Sequence, residues 1–452
     1  MKYGLIGEKL GHSFSPDIHK RLATSDYTLK EIPREALGEF LTKKEFKAVN
    51  VTIPYKQDVI PYLHYISDAA RDIGAVNVIV NKDGLLYGYN TDFYGLKALV
   101  LKTAGDISGK RVLILGTGGT SRTALAVAKA LGAIRVDRVG RTAKEGCVTY
   151  PFAYEHLSDS EIIINTTPVG MYPECDAAPV DINIFPNLQG VVDVVFNPIS
   201  TNLVLSARAK GIPAMGGLYM LVYQAVAASE LFADVKYDQS IIDDIYRELK
   251  VSKQNIVLSG MPGCGKSTVG RLLAQEMSRE FYDIDEEIVK QTGTEITEIF
   301  KTQGEKAFRD METETAKKLS KLSGVVISCG GGTVLRDENV NALRRNGVIC
   351  FIVGSYVECT LPIFEGLKES FPKAEILKCN DIMVNLRKIK SENELSCIKE
   401  GFRIIDLATS EVIRNLRPGV TELQMVGIAL SLHLRLAITS SYRAFVTFWM
   451  AT

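Results

Sequence analysis

Along the first 250 residues, short apolar runs alternate with segments whose apolar positions recur at helical spacing. Val49–Pro54, Val76–Val80, Arg111–Leu115, Glu161–Asn165 and Val191–Val195 each lead into Gly, Pro, Asn or Thr, as strands do when they run into turns. Such alternation implies an α/β fold. Asp238–Glu248 reads as a closing polar helix, and the polar stretch 249–254 precedes a new strand at 255–259, so a domain boundary is expected near 250. The alternation then resumes, with strands predicted at 255–259, 325–328 and 348–353. Past Gly354 the pattern changes: residues 383–430 carry long helical periodicities, and 427–452 are apolar but broken by His433, Arg435 and Arg443. No internal repeat is visible.

Composition narrows the possibilities. A chain of 452 residues has room for about three domains at ~150 residues each. Lys and Arg total 53, and so do Asp and Glu, so no whole-molecule field draws the chain to nucleic acid or an anionic membrane. The eight cysteines lack paired metal-type spacing and suggest reduced thiols. Neither a signal-peptide pattern at the start nor an apolar run long enough to span a bilayer is visible, which makes a cytoplasmic soluble protein the default expectation.

Two segments join a strand, a glycine-rich loop and a helix. In the first, Arg111–Leu115 runs into Gly116-Thr117-Gly118-Gly119-Thr120-Ser121-Arg122 and then a helix predicted over Thr123–Leu131. This order puts a pyrophosphate on a helix N-terminus, where free N–H groups and the dipole favour negative charge; Ser121 takes the usual third-glycine position. The next predicted strand, Ile134–Val139, ends in Gly140-Arg141-Thr142-Ala-Lys144. Arg141 and Lys144, with Thr142 between them, suit a 2′-phosphate and favour NADP; Asp137, within the strand, keeps NAD open.

Four polar turns punctuate the amino-terminal region: Ser13-Phe-Ser15-Pro16, with two hydroxyls on one side of an extended segment, Asn50-Val-Thr52-Ile-Pro54-Tyr-Lys56, Gly74-Ala-Val-Asn77 and Asn90-Thr91-Asp92. Each alone is ordinary turn chemistry. Together with Gly116–Arg122 and Gly217-Leu-Tyr-Met-Leu-Val-Tyr-Gln224, they resemble the shikimate dehydrogenase family over roughly residues 3–248. The resemblance implies a substrate-binding α/β domain at 1–95, completed by 225–248, and a Rossmann NADP domain at 96–224. It also implies reversible reduction of 3-dehydroshikimate to shikimate, with Lys56 and Asp92 as the proton-transfer pair. Ser13, Ser15, Thr52, Asn77 and Gln224 match the family's substrate ligands, and Gly217 falls at the cofactor. Hydride transfer from a secondary alcohol requires a group to take its proton, and a polyol acid suits many neutral hydrogen-bonding side chains. One departure is Phe196, where the family commonly has a tyrosine near the substrate.

The second segment, Asn255–Ser259 followed by Gly260-Met-Pro-Gly263-Cys264-Gly265-Lys266-Ser267-Thr268, fits the P-loop pattern, with a helix predicted over Val269–Met277. Backbone N–H groups would cradle ATP phosphates, Lys266 would meet the β and γ oxygens, and Ser267 would ligate Mg²⁺. With Phe281-Tyr-Asp283-Ile-Asp285, Gly304–Glu312 and Ser328-Cys-Gly330-Gly331-Gly332, it resembles shikimate kinase over 254–354. The resemblance implies a P-loop NTPase-like parallel α/β domain, Asp283 near the magnesium, and Asp285, Arg309 and Gly331 at shikimate. It breaks off at about Val353, before the family's arginine-bearing lid, and residues 352–386 contain no arginine. Nucleotide binding can survive that loss where turnover does not.

Residues 355–452 form a mainly helical tail in this reading. Leu386–Glu422 resembles the opening of the creatinase and prolidase-like aminopeptidase catalytic domain, yet His433 is the only histidine after 156, too few for that family's two-metal site. The leading expectation is a bifunctional enzyme of aromatic amino acid biosynthesis with an interrupted kinase module. Alternatives are an active dehydrogenase carrying an inert nucleotide-binding remnant, a quinate or shikimate dehydrogenase using NAD, and a non-catalytic shikimate-sensing regulator. Oligomeric state is not legible.

Overall fold

The computed structural model describes residues 1–10, 14–143, 146–260 and 264–352, with scattered positions between 399 and 424. Contacts divide the chain into Met1–Gly354 and Ser355–Thr452. The first unit holds three sheets, whose interior strands such as Tyr3–Gly7, Ala48–Val51, Ile162–Asn165 and Gly190–Asp193 are buried along their whole length.

The first sheet runs, edge to edge, through Tyr27–Glu31, Tyr3–Gly7, Ala48–Val51, Val78–Lys82, Leu85–Tyr89 and Tyr65–Ile66. Its first three strands are parallel, and the hairpin Val78–Lys82/Leu85–Tyr89 adds antiparallel pairs. The second sheet is parallel throughout: Ala214–Met215, Gly190–Asp193, Ile162–Asn165, Arg111–Leu115, Arg135–Gly140 and Val148–Thr149. Arg111–Leu115, first of these in the chain, lies in the interior between strands that come from opposite directions of the winding, so a crevice opens at its carboxyl end. The third sheet, Phe281–Asp283, Val326–Ser328, Asn255–Gly260 and Gly347–Ile352, is again parallel, with the P-loop strand inside it.

The helices Thr91–Ala104 and Leu218–Ala233 tie the first two sheets together. Gly95 permits their close approach, since a Cβ there would stand 2.7 Å from the Met220 carbonyl oxygen. Leu96, Leu99, Val222, Ala225 and Val226 are buried at this seam, in one cluster with Ile114, Ala124 and Val127 of the second sheet and its first helix. A separate core built on Val257, Ile284, Ile299, Phe308 and Ile327 fills the third sheet's layer.

Three expectations need correction. No polar linker follows the closing helix: it runs Gln239–Lys253, burying Ile242, Ile245 and Leu249, and Gln254 alone separates it from the next strand. Both phosphate-loop helices begin earlier than expected, at Gly119 and Lys266, directly after Gly118 in extended geometry and Gly265 in the left-handed region. Ser15 opens the short helix Ser15–His19, with Pro16 in its first turn, rather than lying in an extended segment. The expected tail helices and the aminopeptidase-like stretch fall almost wholly outside the described residues.

Candidate active site

Lys56 sits in the turn after Ala48–Val51, and the chain holds it there by its neighbours. Tyr55 is fully buried and its hydroxyl donates to the Ile32 carbonyl at 2.5 Å, while the Lys56 carbonyl accepts from Val76 N–H at 2.8 Å. Asp92 lies in the first turn of Thr91–Ala104, capped by Asn90, whose side chain accepts from Phe93 N–H at 3.2 Å and donates to the Ala75 carbonyl at 2.9 Å. These anchors bring Lys56 Nζ to 2.6 Å from Asp92 Oδ2, although the residues stand 36 apart in sequence. The side chains remain 30% and 19% exposed, so the pair faces a cleft rather than the core.

Further polar side chains brace the elements that carry that pair. Asn77 is buried and accepts from Thr91 N–H at 2.7 Å while its amide donates to Thr91 Oγ1 at 3.1 Å, which fixes the start of the helix bearing Asp92. Ser15 is buried beside Tyr27, whose hydroxyl donates to Asn50 Oδ1 at 2.8 Å; Asn50 in turn donates to the Asn77 carbonyl at 3.3 Å. Burial raises the Tyr27 phenol well above its ordinary range, so it stays protonated as a donor. Thr52 follows the same strand as Lys56, and Gln224 lies on Leu218–Ala233 against Gly95. Ser13 lies outside the described residues. Tyr27 and the structural role of Asn50 were missed by sequence reasoning; an asparagine inside the apolar strand Ala48–Val51 was the available signal.

The first glycine loop leaves the crevice open. A Cβ on Gly118 or Gly119 would meet nothing within 4 Å, and Thr117 is exposed beside them. Gly116 has φ 116°, and a Cβ there would lie 2.5 Å from Thr166 Oγ1, so only glycine suits the turn. Ser121 is buried and donates to the Gly118 carbonyl at 2.8 Å, closing the loop on itself, and Thr120 is half-buried in the first turn. Arg122, on the same turn, faces the first sheet: its Nη1 and Nη2 stand 3.2 and 2.6 Å from the terminal amide of Gln57, whose oxygen accepts from both when the amide is flipped. Arg141 and Thr142 are exposed at the tip of Arg135–Gly140, whereas Asp137 is held in the strand, 2.9 Å from Arg135 Nε. Lys144 lies outside the described residues. Gly217 N–H donates to the Val195 carbonyl at 2.8 Å, tying the start of Leu218–Ala233 to the loop after Gly190–Asp193.

The second site gathers acids and a buried amine. Gly263 lies outside the described residues; Cys264 is buried, Gly265 has φ 88°, and Thr268 is exposed in the first turn of the helix that follows. Lys266, also buried, donates to the Gly260 carbonyl at 2.9 Å. Ser267 Oγ donates to Asp283 Oδ2 at 2.7 Å, and Asp283 caps the next helix by accepting from Asp285 N–H at 3.0 Å. Asp285 Oδ1 is buried without a hydrogen-bond partner, and burial, with Asp283 and Glu312 nearby, pushes its carboxyl up to about 6. Arg309 Nη1 meets Glu312 Oε2 at 2.9 Å, and Glu312 Oε1 accepts from Thr333 Oγ1 at 2.5 Å. Gly330 and Gly332 let the triple-glycine loop pass close to Asp285, Glu312 and Arg309, leaving Gly331 exposed at its apex. Among the described residues no group of three His, Cys, Asp or Glu side chains is arranged around a metal position.

These two sites can be compared with known proteins. A model of the shikimate dehydrogenase substrate binding domain matches residues 5–79. An NADP(+) shikimate dehydrogenase from Clostridium beijerinckii is 38% identical over 259 residues, covering 54% of this chain and 96% of the relative. The chain belongs to the shikimate dehydrogenase family. It is an oxidoreductase of that family, extended by a second module: a shikimate kinase family model matches residues 262–359. The enzyme named shikimate dehydrogenase (NADP(+)) in Clostridium perfringens is 36% identical over 265 residues, covering 55% of this chain and 98% of the relative. A crystal structure of a chorismate mutase/shikimate 5-dehydrogenase fusion protein from Clostridium acetobutylicum, 37% identical, superposes with a TM-score of 0.51 over 55% of this chain and 96% of that one. The second half is thus an addition to a whole shikimate dehydrogenase rather than an insertion within one.

Proposed function

We propose that this chain reduces 3-dehydroshikimate reversibly to shikimate with NADP, and carries a shikimate kinase module that binds ATP with Mg²⁺ but turns over poorly. The domain assignment follows the three sheets: a substrate domain over 1–95 completed by 225–248, an NADP domain over 96–224 and a kinase-like domain over 254–354. The observation that carries the reading is the 2.6 Å contact of Lys56 Nζ with Asp92 Oδ2.

The open face at Gly118 and Gly119 fits a dinucleotide pyrophosphate, with Gly116–Arg122 as its loop and Arg141 and Thr142 at a 2′-phosphate. When bound, the nicotinamide supplies the hydride acceptor or donor. The protein does the rest. Lys56 Nζ exchanges the proton at the substrate oxygen, and Asp92 holds the ammonium in place between turns. Ser13, Ser15, Thr52, Asn77 and Gln224 would hold the hydroxyls and carboxylate, and their neutrality suits a polyol better than a second charge. Phe196 lacks the hydroxyl of the family's usual tyrosine, which weakens substrate contact without touching the proton pair.

The kinase half fits ATP and Mg²⁺ in its donors. Mg²⁺ is commonly held by one or two protein oxygens with phosphates and waters, and Ser267 with Asp283 provides that set. Lys266 and the Cys264-Gly265 turn would hold phosphates, while Asp285, Arg309 and Gly331 would hold shikimate. The absence of arginine from 352–386 supports impaired turnover, because phosphoryl transfer depends on cationic stabilisation. The carboxyl-terminal likeness to creatinase and prolidase-like aminopeptidases enters only as a fragment without catalytic role. Among the described residues no helix is long and apolar enough to cross a membrane, which is compatible with the cytoplasmic location we propose.

Initial rates with shikimate or quinate, each with NADP⁺ or NAD⁺, test the dehydrogenase reading. Shikimate with NADP⁺ is expected to be the fastest pair. Ligand binding without turnover in any pair would overturn it in favour of a shikimate sensor, and a quinate or NAD⁺ preference would replace the substrate or cofactor assignment.

A further inference from the structure

The loop after Gly190–Asp193 leaves the carboxyl end of the second sheet, the end at which the dinucleotide crevice opens, and its hydrogen bonds are divided between the two halves of the protein. At its start, Val195 N–H donates to the fully buried Asp193 at 3.0 Å, and the Val195 carbonyl accepts from Gly217 N–H at 2.8 Å. Phe196 packs edge-on against Phe14, the residue before Ser15, with ring centres 5.6 Å apart. Three residues further on, the partners change. Ile199 N–H donates to Asn346 Oδ1 at 2.8 Å, and Ser200 N–H to the Arg345 carbonyl at 2.9 Å. Both acceptors end the helix Asp337–Asn346 of the kinase-like half.

That helix is fixed where it meets the loop. Arg345 has a side chain only 7% exposed, and it donates from Nε to Asn202 Oδ1 at 2.9 Å and pairs with Asp176 at 2.7 Å. Asn202 closes the circle by donating to the Asp176 carbonyl at 2.8 Å. A buried guanidinium is retained only where such acceptors meet it, so this is a specific seat rather than incidental packing. On its other flank the loop presses on the turn that starts Leu218–Ala233: a Cβ on Gly216 would lie 2.5 Å from the Ile199 carbonyl oxygen. Any drift of Ile199 is therefore felt at Gly216 and Gly217.

Resting on the dehydrogenase reading above, we propose that Arg345 and Asn346 of the kinase-like half are positioning residues for the dehydrogenase, holding Ile199 and Ser200 so that the Val195–Gly217 contact keeps the shape that binds the dinucleotide. The kinase-like half thus serves the first reaction whether or not it transfers phosphate. Neither residue touches the reacting atoms, so their effect falls on cofactor affinity and leaves the Lys56–Asp92 proton pair alone.

The test is steady-state kinetics of the full chain with shikimate and NADP⁺, alongside thermal unfolding. Arg345→Ala and Asn346→Ala are expected to raise KM for NADP⁺ about three- to tenfold, with kcat within about twofold and its pH profile unmoved, as for loss of binding interactions outside the chemical step. Asp176→Ala, at a mostly exposed partner, removes only the ion pair and is expected to raise KM about two- to threefold; it decides the matter if the other two do not fold. Glu338→Gln, at the far end of the same helix, is expected to change nothing. Variants that melt lower but keep the wild-type KM overturn the proposal and leave Arg345 a packing residue. An unmutated protein without NADP⁺ reduction defeats the dehydrogenase reading instead, so the two failures are distinct.

Discussion

The two glycine loops solve the problem of holding phosphate differently. At Gly116–Ser121 the loop offers an open face, Ser121 donates back to the Gly118 carbonyl, and the adjoining Arg122 is directed at Gln57. At the second loop Lys266 is buried and donates to the Gly260 carbonyl, with Ser267 and Asp283 bonded to each other nearby in the chain's next helix and strand. The contrast follows from what each phosphate does. A dinucleotide's pyrophosphate is a handle remote from the hydride, so N–H groups at a helix N-terminus suffice. A transferred phosphoryl group is itself the reacting centre, and needs cations and metal within the site.

That contrast is broken most directly by assaying the second half. With shikimate, ATP and Mg²⁺, turnover is expected to fall about 10³–10⁵ below that of a kinase with its lid arginine, while ATP analogue binding persists. Turnover at a full kinase rate, measured by coupled ADP release, would mean that cationic help comes from elsewhere in the chain. Next in size is the proton pair: Lys56→Ala should lower kcat for shikimate oxidation by about 10²–10⁴ while NADP⁺ still binds, read from initial rates and dinucleotide fluorescence. A loss below tenfold would remove Lys56 from the chemistry.

A third experiment addresses the acids of the second site. Asp285 is raised to about 6 by burial, then by Asp283 and Glu312, so the folded state keeps a proton that the unfolded state releases between about pH 4 and 6. Its contribution to stability therefore falls as pH rises through that window. Asp285→Asn should stabilise the protein by about 1–2 kcal/mol at pH 7, a figure reduced for partial exposure, and by much less near pH 4. Equal gains at both pH values, read from urea unfolding, would assign the effect to shape rather than charge. The smallest effect is expected at Phe196: restoring a hydroxyl with Phe196→Tyr should lower KM for shikimate by about two- to tenfold, the worth of one hydrogen bond. An unchanged KM would show that the ring does not face the substrate.

Fold legibility varied with how local the signal was. Arg111–Leu115 and Ile162–Asn165 emerge as strands almost to the residue, because runs bounded by turns need little beyond their own sequence to declare themselves. The stretch after Glu248 misled, since Lys, Ser and Gln suggest a linker unless one sees that Ile245 and Leu249 keep the helix anchored to the core. Ser15 likewise looked extended until Pro16 proved to be the first turn of a helix. Tyr27 carries no motif. Its importance lies in a hydroxyl that reaches Asn50 from another strand of the same sheet, a contact that no spacing along the chain encodes.

By itself, the sequence determined the α/β alternation and the two phosphate loops, because these depend on periodicity and on residue type at short range, whereas the amine and carboxylate followed from the family resemblance. Only the tertiary structure decided that Lys56 and Asp92 meet at 2.6 Å, that Arg122 turns to Gln57, and that the end of the kinase-like half takes up two backbone donors of the dehydrogenase. Those contacts join residues far apart in the chain. What brings them together is the burial of several helices and sheets at once, and no segment contains that information alone.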